Sequence, residues 1–515
     1  MNKNPISAIG GISLLAALIV AILLTAQEGL AQVSSKHHTR YKVIDTGTFG
    51  GPNGHMSLGA HILNNNGTFT GFADTSTPDP YAPDGCWDGD CLVAHTFKWR
   101  KGELTDLGVL AGGPNNESNW MSANGLIAGD SQDGLLDPLT GGWEIRGVLW
   151  KDGNIIDLGT LECGYESLAR GVNSAGEVAG LSTTLVPDPN AMIFYFGLPF
   201  PFRTRAFRWK NGVLRDLGTL GGPDTIAVAV NESGQIIGDS YTSSDPSPVC
   251  AQINFPLTTG AFLWEKGKMV NLGSLGGTCT NASALNNRGQ VVGFSFLAGD
   301  EVFHPFRWER GKLRDLGTLG GNSGFANTLN EAGDAVGWQF IPGNDNIFHA
   351  TLWSRGRITD LGALGVNQCS EAFSINSKKQ VVGTSVNCDF EEATFRAFLW
   401  EPGGPMIDLN TLIPANAGVQ LRNVATINER GEMAVVGSFP NGDHRPVLLI
   451  PCDGDSEGCL DADQNENASP RRPASSLAAA SATRPKLSPK EMLARIHSQM
   501  GRRYHVHGLR VSAIH

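Results

Sequence analysis

The sequence predicts an all-β fold, a β-propeller of four-stranded blades, and three observations lead to it. The phrase Asp-Leu-Gly-Thr-Leu-Gly-Gly recurs along the chain and is complete at residues 216–222 and 315–321. A tryptophan precedes each copy at a nearly constant distance, and successive copies lie about 44 to 59 residues apart, a spacing typical of propeller blades. The chain contains 65 glycines and shows no helical period across the repeats, as expected of a turn-rich β protein.

Two residues of the repeat recur too regularly to be catalytic. An Asp or Asn follows each tryptophan by seven positions, as from Trp209 to Asp216, and by eight in the last copy. The tryptophans are Trp99, Trp150, Trp209, Trp264, Trp308, Trp353 and Trp400, and the partners are Asp106, Asp157, Asp216, Asn271, Asp315, Asp360 and Asp408. We predict that the tryptophans pack between blades and that the aspartates bond to the backbone of the following loop.

A basic residue precedes most of these tryptophans by four positions. The set is His95, Arg146, Arg205, His304, His349 and Arg396, with Gly260 in the remaining copy. If the hairpin folds at its glycine, this residue faces the repeat Asp across the strands. We expect a structural pair there, and a ring of ion ligands is the alternative.

Each unit divides into four short strands. In the unit that ends at Asp315, residues 282–286 and 290–295 are apolar and flank a tight Asn-x-x-Gly turn. Residues 304–308 alternate apolar with polar, as a half-buried strand does, and residues 312–316 follow a second turn at Gly311.

The chain ends explain why the turns outnumber the tryptophan segments. Asn-x-x-Gly turns occur at Asn173, Asn231, Asn286, Asn330 and Asn428, with degenerate forms at Asn64 and Asn376 and a shortened form at Asn124-Gly125. Residues 445–450 form a third strand with no fourth strand after it, and residues 41–47 form a fourth strand with none before it. We predict eight blades, closed by the N-terminal strand completing the last blade, which removes exposed sheet edges. An open β-solenoid is the alternative, but it does not explain the half-unit at each end.

Composition predicts the domain organisation. Lys3, an apolar stretch over residues 6–24 and small residues at 29–31 indicate a signal peptide, residues 1–31; an uncleaved N-terminal membrane anchor is the alternative. The propeller spans 41–452, a linker 453–487, and a basic tail 488–515, where the capping box at Ser488 to Glu491 predicts a short helix.

The tail and the rest of the chain have opposite charge. From Pro470 onward there are nine Lys or Arg and one acid, a net of about +8, so the total of −11 leaves about −19 on the remainder. The tail is either solvated or contacts an anionic surface such as lipid or a cell-wall polymer. The acidic body argues against nucleic acid as a partner.

Nine cysteines indicate an oxidising compartment, so we predict a secreted, periplasmic or cell-surface protein. The candidate disulfides are Cys86 with Cys91, Cys369 with Cys388, Cys452 with Cys459, and Cys250 with Cys279, leaving Cys163 over. Sequence alone does not determine this connectivity. We assign no metal site and no cofactor, although the acidic loop around Asp79, Asp84, Asp88 and Asp90 is a candidate for Ca²⁺.

The recurring motifs resemble those of the HAF-repeat family of probable extracellular repeat proteins. The His-Ala-Phe signature is represented by residues 304–306, 349–351, 205–207 and 396–398, and Gln-Val-Val-Gly occurs at 290–293 and 380–383. The resemblance covers about four fifths of the chain and implies a secreted bacterial protein, with no catalytic residues to transfer. Replacement of the His by Arg or Gly shows that it is not a fixed ligand.

Function is expected where the units differ, in loops that share one rim of the propeller. The insertions are 75–93, 185–204 and 241–259. Candidate binding residues are Tyr81, Trp87, Phe194, Tyr195, Phe196, Phe200 and Phe202. We predict a non-catalytic binding or scaffolding protein for a carbohydrate or protein ligand. The insertion 185–204 carries five of these aromatic residues, and the alternative to a binding role is that it packs on the rim as a structural flap.

The competing functional class is an extracellular polysaccharide lyase or hydrolase. No nucleophile elbow, zinc-protease helix or phosphate loop is found, and first strands such as residues 227–230 are apolar and small, which disfavours catalysis in the channel.

Overall fold

The computed structural model describes residues 38–57, 61–82, 86–87, 90–138, 143–191, 202–251, 253, 255–389, 394–452 and 459. Within these ranges, thirty-two strands form eight antiparallel four-stranded sheets. Blade 1 contains β2 (Gly50–His55), β3 (Phe69–Pro78), β4 (Leu92–Arg100) and β5 (Glu103–Asp106); blade 2 contains β6 (Asn116–Met121), β7 (Ile127–Leu136), β8 (Trp143–Lys151) and β9 (Asn154–Asp157). Blade 3 contains β10 (Ser167–Val172), β11 (Val178–Pro187), β12 (Phe202–Lys210) and β13 (Val213–Asp216); blade 4 contains β14 (Thr225–Val230), β15 (Ile236–Pro246), β16 (Leu257–Glu265) and β17 (Lys268–Asn271).

The second half of the ring has the same order. Blade 5 contains β18 (Gly276–Leu285), β19 (Val291–Leu297), β20 (Phe303–Glu309) and β21 (Lys312–Asp315); blade 6 contains β22 (Gly324–Leu329), β23 (Ala335–Ile341), β24 (Asn344–Ser354) and β25 (Arg357–Asp360). Blade 7 contains β26 (Cys369–Ile375), β27 (Val381–Val386), β28 (Arg396–Trp400) and β29 (Met406–Asp408); blade 8 contains β30 (Gln420–Ile427), β31 (Met433–Ser438), β32 (His444–Pro451) and β1 (Tyr41–Asp45). A short helix, α1 (Pro248–Ala251), and a 3-10 turn (Leu409–Thr411) interrupt the strands.

The N-terminal strand closes the ring. β1 pairs antiparallel with β32, from Tyr41 opposite Pro451 to Asp45 opposite Val447. The predicted eight-bladed propeller is therefore confirmed, and the solenoid alternative is wrong because no half-unit is left open at either end of the array.

First strands lie at the centre of the ring, where those of neighbouring blades contact each other. A β-bulge interrupts the first strand of blades 2 to 8 at equivalent places, as between Ala169 and Gly171. The glycine of Gln-Val-Val-Gly lies against this strand: a Cβ on Gly293 would be 2.0 Å from the carbonyl oxygen of Asn281. The motif therefore ends in glycine because the backbones approach too closely for a side chain.

A ring of asparagine hydrogen bonds joins the turns between first and second strands. Each buried turn asparagine donates its Nδ2 to the turn carbonyl of the next blade at 3.0–3.1 Å: Asn173 to Asn231, Asn231 to Asn286, Asn286 to Asn330, Asn330 to Asn376, Asn376 to Asn428, and Asn428 to Asn64. Its Oδ1 accepts two amides of its own turn; Asn286 accepts from Arg288 N and Gln290 N at 3.1 Å. One side chain thus shapes a turn and fixes the neighbouring blade.

Blade 2 completes this ring with different residues. Asn64 donates to Ala123 O at 3.3 Å, and Asn124 donates to Ser174 O at 2.9 Å. The expectation of a shortened turn is wrong, because Gly125 N bonds to Ser122 O as in the other turns. Ser122 occupies the asparagine position, and its hydroxyl accepts Leu126 N at 2.9 Å.

The repeat aromatics lie in the core between blades. Six of the seven repeat tryptophans are buried, and Trp264 is half-buried beneath the Arg208 guanidinium, 5.6 Å from the ring centroid. Trp209 belongs to an apolar cluster with Leu149 of the preceding blade. Such burial contributes about 1.5–3 kcal/mol for each ring.

Four disulfides join the cysteine pairs proposed from spacing: Cys86 with Cys91, Cys250 with Cys279, Cys369 with Cys388, and Cys452 with Cys459. Cys163 is exposed and outside these pairs. Four disulfides are typical of an oxidising extracellular or periplasmic compartment.

The part of the chain that the structure describes has no helix with the length and hydropathy needed to cross a bilayer. The predicted signal peptide, the tail and all of the predicted linker except Cys459 lie outside the described residues.

Removing one member of the asparagine ring should destabilise the propeller. Asn286→Ala removes the bond to blade 6 and leaves buried turn amides without an acceptor, so we expect the free energy of unfolding to fall by about 2–4 kcal/mol. Denaturant titration measures this, with exposed Asn154→Ala as the control. Equal stability of the two variants contradicts a role for the ring.

Candidate functional site on the insertion rim

One face of the ring collects all the variable loops. In a four-stranded antiparallel blade, loops between second and third strands lie on the same side as loops joining one blade to the next. The asparagine ring occupies the opposite face. We call the loop-bearing face the insertion rim.

The repeat Asp or Asn closes an Asx turn at this rim in every blade. One oxygen of each side chain accepts the amide two residues on at 2.6–2.9 Å. The eight acceptors are Asp45, Asp106, Asp157, Asp216, Asn271, Asp315, Asp360 and Asp408. The Gly after Asp-Leu has a positive φ, for example 82° at Gly218, so the turn favours glycine there.

The basic residue before the tryptophan reaches this Asp in only some blades. Nδ1 of His95, His304 and His349 lies 2.8–2.9 Å from the carboxylate of its partner. The contact of Arg205 is longer, since its Nε lies 3.9 Å from the carboxylate of Asp216. The expectation of an equivalent pair is wrong for Arg146, whose guanidinium turns to Asp133 and Glu144.

These histidine contacts change the acidity of the aspartates. Burial by itself raises the pKa of Asp315, but hydrogen bonds from His304 and Gly317 N outweigh it and hold the pKa below its ordinary value. The pKa values of Asp106 and Asp360 are lowered by the same arrangement.

The apolar first strand at residues 227–230 suggested an apolar ring interior, but buried carboxyl groups make the interior more polar than that. Asp130 accepts Ala169 N at 2.8 Å, and Asp239 accepts Ala282 N at 3.0 Å, each from the next blade. Burial raises both pKa values. Each of these two carboxyls therefore joins its own blade to the next one.

The insertions of blades 1 to 4 have the same local architecture, which the spacing of the sequence motifs did not reveal. The second strands of blades 1 to 4 extend past a register shift to residues 78, 136, 187 and 246. A buried Asp or Ser follows each extension: Asp79, Asp137, Asp188 and Ser247. Half of the rim therefore carries elongated hairpins, including one in blade 2 that the sequence analysis did not single out.

The first insertion is organised around Asp79. Its carboxylate accepts Tyr81 N at 2.9 Å, Trp87 N at 3.0 Å and Asn115 Nδ2 at 2.8 Å. The indole of Trp87 is buried in the apolar core, so little of this candidate binding residue is accessible at the surface. Tyr81 stays half-buried and stacks on Trp143 of blade 2, with centroids 3.4 Å apart.

Described acidic residues of this loop are engaged in structural bonds. Asp90 accepts Leu92 N at 3.1 Å and Asn53 Nδ2 at 2.9 Å, while Asp84 and Asp88 lie outside the described residues. Within the described ranges, no three His, Cys, Asp or Glu side chains are arranged to hold a metal ion.

The other insertions are anchored to their neighbours. Phe202 is half-buried at the start of β12, opposite Pro187. The candidate residues Phe194, Tyr195, Phe196 and Phe200 lie outside the described residues. In the third insertion, Phe255 is buried edge-on to Tyr241, and the Cys250–Cys279 disulfide ties α1 to blade 5.

Exposed aliphatic side chains concentrate at two of these hairpins. Leu135 and Leu136 at the end of β7 are 58% and 52% exposed, and Leu185 and Val186 at the end of β11 are 43% and 38% exposed. We call these four residues the crest. The repeated position of an aliphatic pair at two strand ends was the signal that the sequence analysis missed.

Four acidic residues lie on or next to the hairpins of blades 2 and 3 that carry the crest. Arg146 bonds Glu144 at 2.8 Å and Asp133 at 3.1 Å. Glu166 is buried, and its Oε2 has no hydrogen-bond partner among the described residues. Burial, followed by the charges of Asp137 and Glu144, raises the pKa of Glu166 to about 8. We call Asp133, Asp137, Glu144 and Glu166 the acidic cluster.

The fold and this rim define an eight-bladed β-propeller with insertions on half of one face. No family model matches the sequence, and no curated protein matches it. Among solved structures, the β-propeller domain of the Trilobed protease from Pyrococcus furiosus is similar at 10% identity and a TM-score of 0.39, over 67% of this chain and 95% of that chain.

Two further structures are similar in the same way. Pyrococcus horikoshii acylaminoacyl peptidase has 10% identity and a TM-score of 0.37, over 63% of this chain and 49% of that one. TolB from Acinetobacter baumannii has 11% identity and a TM-score of 0.29, over 70% of this chain and 76% of that one. These likenesses concern the fold alone.

Acid should weaken the propeller through the histidine-bonded aspartates. Their lowered pKa values stabilise the folded state fully above about pH 5, and this stabilisation is lost as the pH falls below about 4 and through the folded-state values. The triple variant Asp106→Asn, Asp315→Asn and Asp360→Asn should lose less stability between about pH 5 and 3 than the wild type. Melting temperature across this range measures it, with exposed Asp152→Asn as the control; parallel profiles for both contradict the expectation.

Ionisation of Glu166 should make the propeller less stable as the pH rises, the opposite of the effect of the three aspartates. Its raised pKa means that ionisation is costly in the folded state, so stability should fall as the pH rises from about 4.5 to 8 and then level off. Glu166→Gln should be more stable than the wild type by roughly 2–5 kcal/mol at pH 8 and above, and equal to it near pH 4. Denaturant titrations at both pH values test this, and a difference independent of pH would exclude ionisation as the cause.

Proposed function

We propose that this chain is a secreted, non-catalytic binding protein of the HAF-repeat type, which recognises a carbohydrate or protein ligand on its insertion rim. The observation that carries the proposal is the half-ring of elongated hairpins, which exposes the crest and leaves the Tyr81–Trp143 stack half-buried at the surface. Exposed apolar clusters of this kind on an otherwise polar surface mark interaction sites.

Rigid support of this surface favours recognition. The Cys86–Cys91 disulfide and the bond from Trp87 N to Asp79 close the blade 1 insertion on itself, and the bond from Asn115 Nδ2 to Asp79 joins it to blade 2. Because these contacts exist before any ligand arrives, binding costs little ordering of the rim. An aromatic pair of this type suits a sugar face or a protein side chain equally.

The recurrence of Asx turns in every blade, of the tryptophans in seven blades and of His-Asp pairs in three blades supports the family proposal. The disulfides support export to an oxidising compartment. Cleavage of residues 1–31, retention as a membrane anchor, and contact of the tail with an anionic surface stay predictions.

Glycan arrays and pull-downs from extracellular material, followed by affinity measurement on each hit, test the proposal with the full chain. Tyr81→Ala with Trp143→Ala, or Leu135→Ser with Leu136→Ser, should weaken binding at least about tenfold. The matched control is Val213→Ser with Val270→Ser, which changes exposed valines on the outer fourth strands. If ligand affinity is unchanged in all of the rim variants, the ligand binds elsewhere on the protein.

A further inference from the structure

The hairpins between third and fourth strands place exposed positive charge on the face opposite the insertion rim. In an antiparallel blade, third and fourth strands meet on the same side as first and second strands, so these hairpins surround the asparagine ring. In blades 4 to 6 each hairpin carries two exposed basic residues, which we call the basic arc: Lys266, Lys268, Arg310, Lys312, Arg355 and Arg357. The fourth strands of blades 5 and 6 end at the rim in Asp315 and Asp360. Opposite charges are therefore separated along these strands.

Most of the basic arc has no ion-pair partner. Lys266 lies 3.3 Å from the carboxylate of Glu265, and none of the other five cations forms an ion pair within the described part of the chain. The exposed or half-buried acids on this part of the face are Glu265, Glu309, Glu232 and Glu331, and Arg288 is a further exposed cation. Cations therefore outnumber these acids, although the chain as a whole has a net charge of −11.

Three of these cations occupy a backbone conformation that disfavours them. Each hairpin turns through two residues, of which the second is glycine, and the first has a left-handed φ: 51° at Lys266, 49° at Arg310 and 51° at Arg355. Asn, Asp or Gly is the usual residue at this position, as at Asn211 of blade 3. A Lys or Arg with this φ is strained, so the needs of the turn do not account for the positive charge.

The hairpin tips lie at one level around the ring. In blades 1 to 6 the ladder between third and fourth strands ends at the same place, as with Glu309 opposite Lys312 and Ser354 opposite Arg357. Each of these turns has the same length and the same position relative to its tryptophan. A planar anionic surface can therefore contact three neighbouring hairpins of the basic arc together.

We propose that the basic arc docks this protein on a bilayer rich in anionic phospholipids, with the insertion rim facing away from the membrane. The head-group phosphates attract the cations at the hairpin tips, and the same surface repels the repeat aspartates at the opposite end of the strands. The rim stays open to its ligand in this orientation. Docking is independent of which ligand the rim recognises.

Vesicle sedimentation with the full chain tests the proposal. Vesicles of phosphatidylcholine mixed with phosphatidylglycerol should bind the protein more tightly than vesicles of phosphatidylcholine alone, and high salt should remove the difference. The ratio of the two affinities isolates the electrostatic contribution, because the apolar N-terminal stretch contributes to both. The basic tail is the same in every variant compared.

Matched arginine variants locate the contact. Arg310→Asn with Arg355→Asn should lower the ratio about 25-fold, since each cation near an anionic membrane contributes roughly fivefold. Because the left-handed turn favours Asn, this variant should melt no lower than the wild type. The control, Arg215→Thr with Arg314→Thr, removes the same charge from exposed fourth-strand positions where blade 1 has Thr105. It should leave the ratio nearly unchanged, because Arg314 lies about 10 Å along the strand from the tip, a Debye length at moderate salt.

A fluorophore reports which face touches the membrane. Cys163 is exposed in the loop that joins blades 2 and 3 at the rim. A fluorophore on this cysteine should stay bright when the protein binds vesicles that contain head-group nitroxide lipid. On Asn211→Cys in a Cys163→Ser chain, at a tip beside the basic arc, it should be quenched.

Four results overturn the proposal. The first is equal affinity for the two kinds of vesicle, and the second is a ratio that falls no further in the hairpin variant than in its control. The third is quenching at Cys163 instead of at position 211, which reverses the orientation. The fourth is binding of a soluble anionic polysaccharide such as alginate that depends on Arg310 and Arg355 while vesicles do not bind, which assigns the basic arc to a polymer.

Discussion

The hydrogen bond from a turn asparagine to the turn carbonyl of the next blade is the interaction on which the rest of the structure depends. A buried primary amide needs partners for both its oxygen and its nitrogen. In this propeller the oxygen organises the turn of one blade and the nitrogen reaches the adjacent blade, so local and long-range structure share one side chain. Because blade 2 supplies Ser122 and Asn124 for the missing asparagine, the ring remains closed.

That ring uses one face of the molecule for structure and leaves the other face free to vary. At the rim, the repeat aspartates are occupied by backbone amides and, in three blades, by histidine. A carboxylate engaged in this way is a poor candidate for proton transfer or metal binding. Variation is therefore concentrated in the hairpins between second and third strands, whose length does not disturb the asparagine ring.

The elongated hairpins of blades 1 to 4 give the rim its asymmetry. Each is supported at its base by a buried Asp or Ser, and several bonds cross to the neighbouring blade, such as Tyr241 Oη to Asn190 O at 3.0 Å. Blades 5 to 8 have shorter hairpins at the same place, apart from the disulfide-bearing loop of blade 7. The exposed aliphatic pairs at the ends of β7 and β11 thus lie on this half of the ring.

The sequence by itself determined the blade number and the closure by residues 41–47, because both follow from the period of a motif. It also suggested the cysteine pairs, but only the tertiary structure decided their connectivity. It also indicated that Asp216 and its equivalents belong to the scaffold. Only the tertiary structure decided that Trp87 is buried, that Tyr81 stacks on Trp143, and that Glu166 faces Asp137 and Glu144. These contacts join different blades, so no spacing in the chain encodes them; they depend on how neighbouring hairpins pack after the ring has closed.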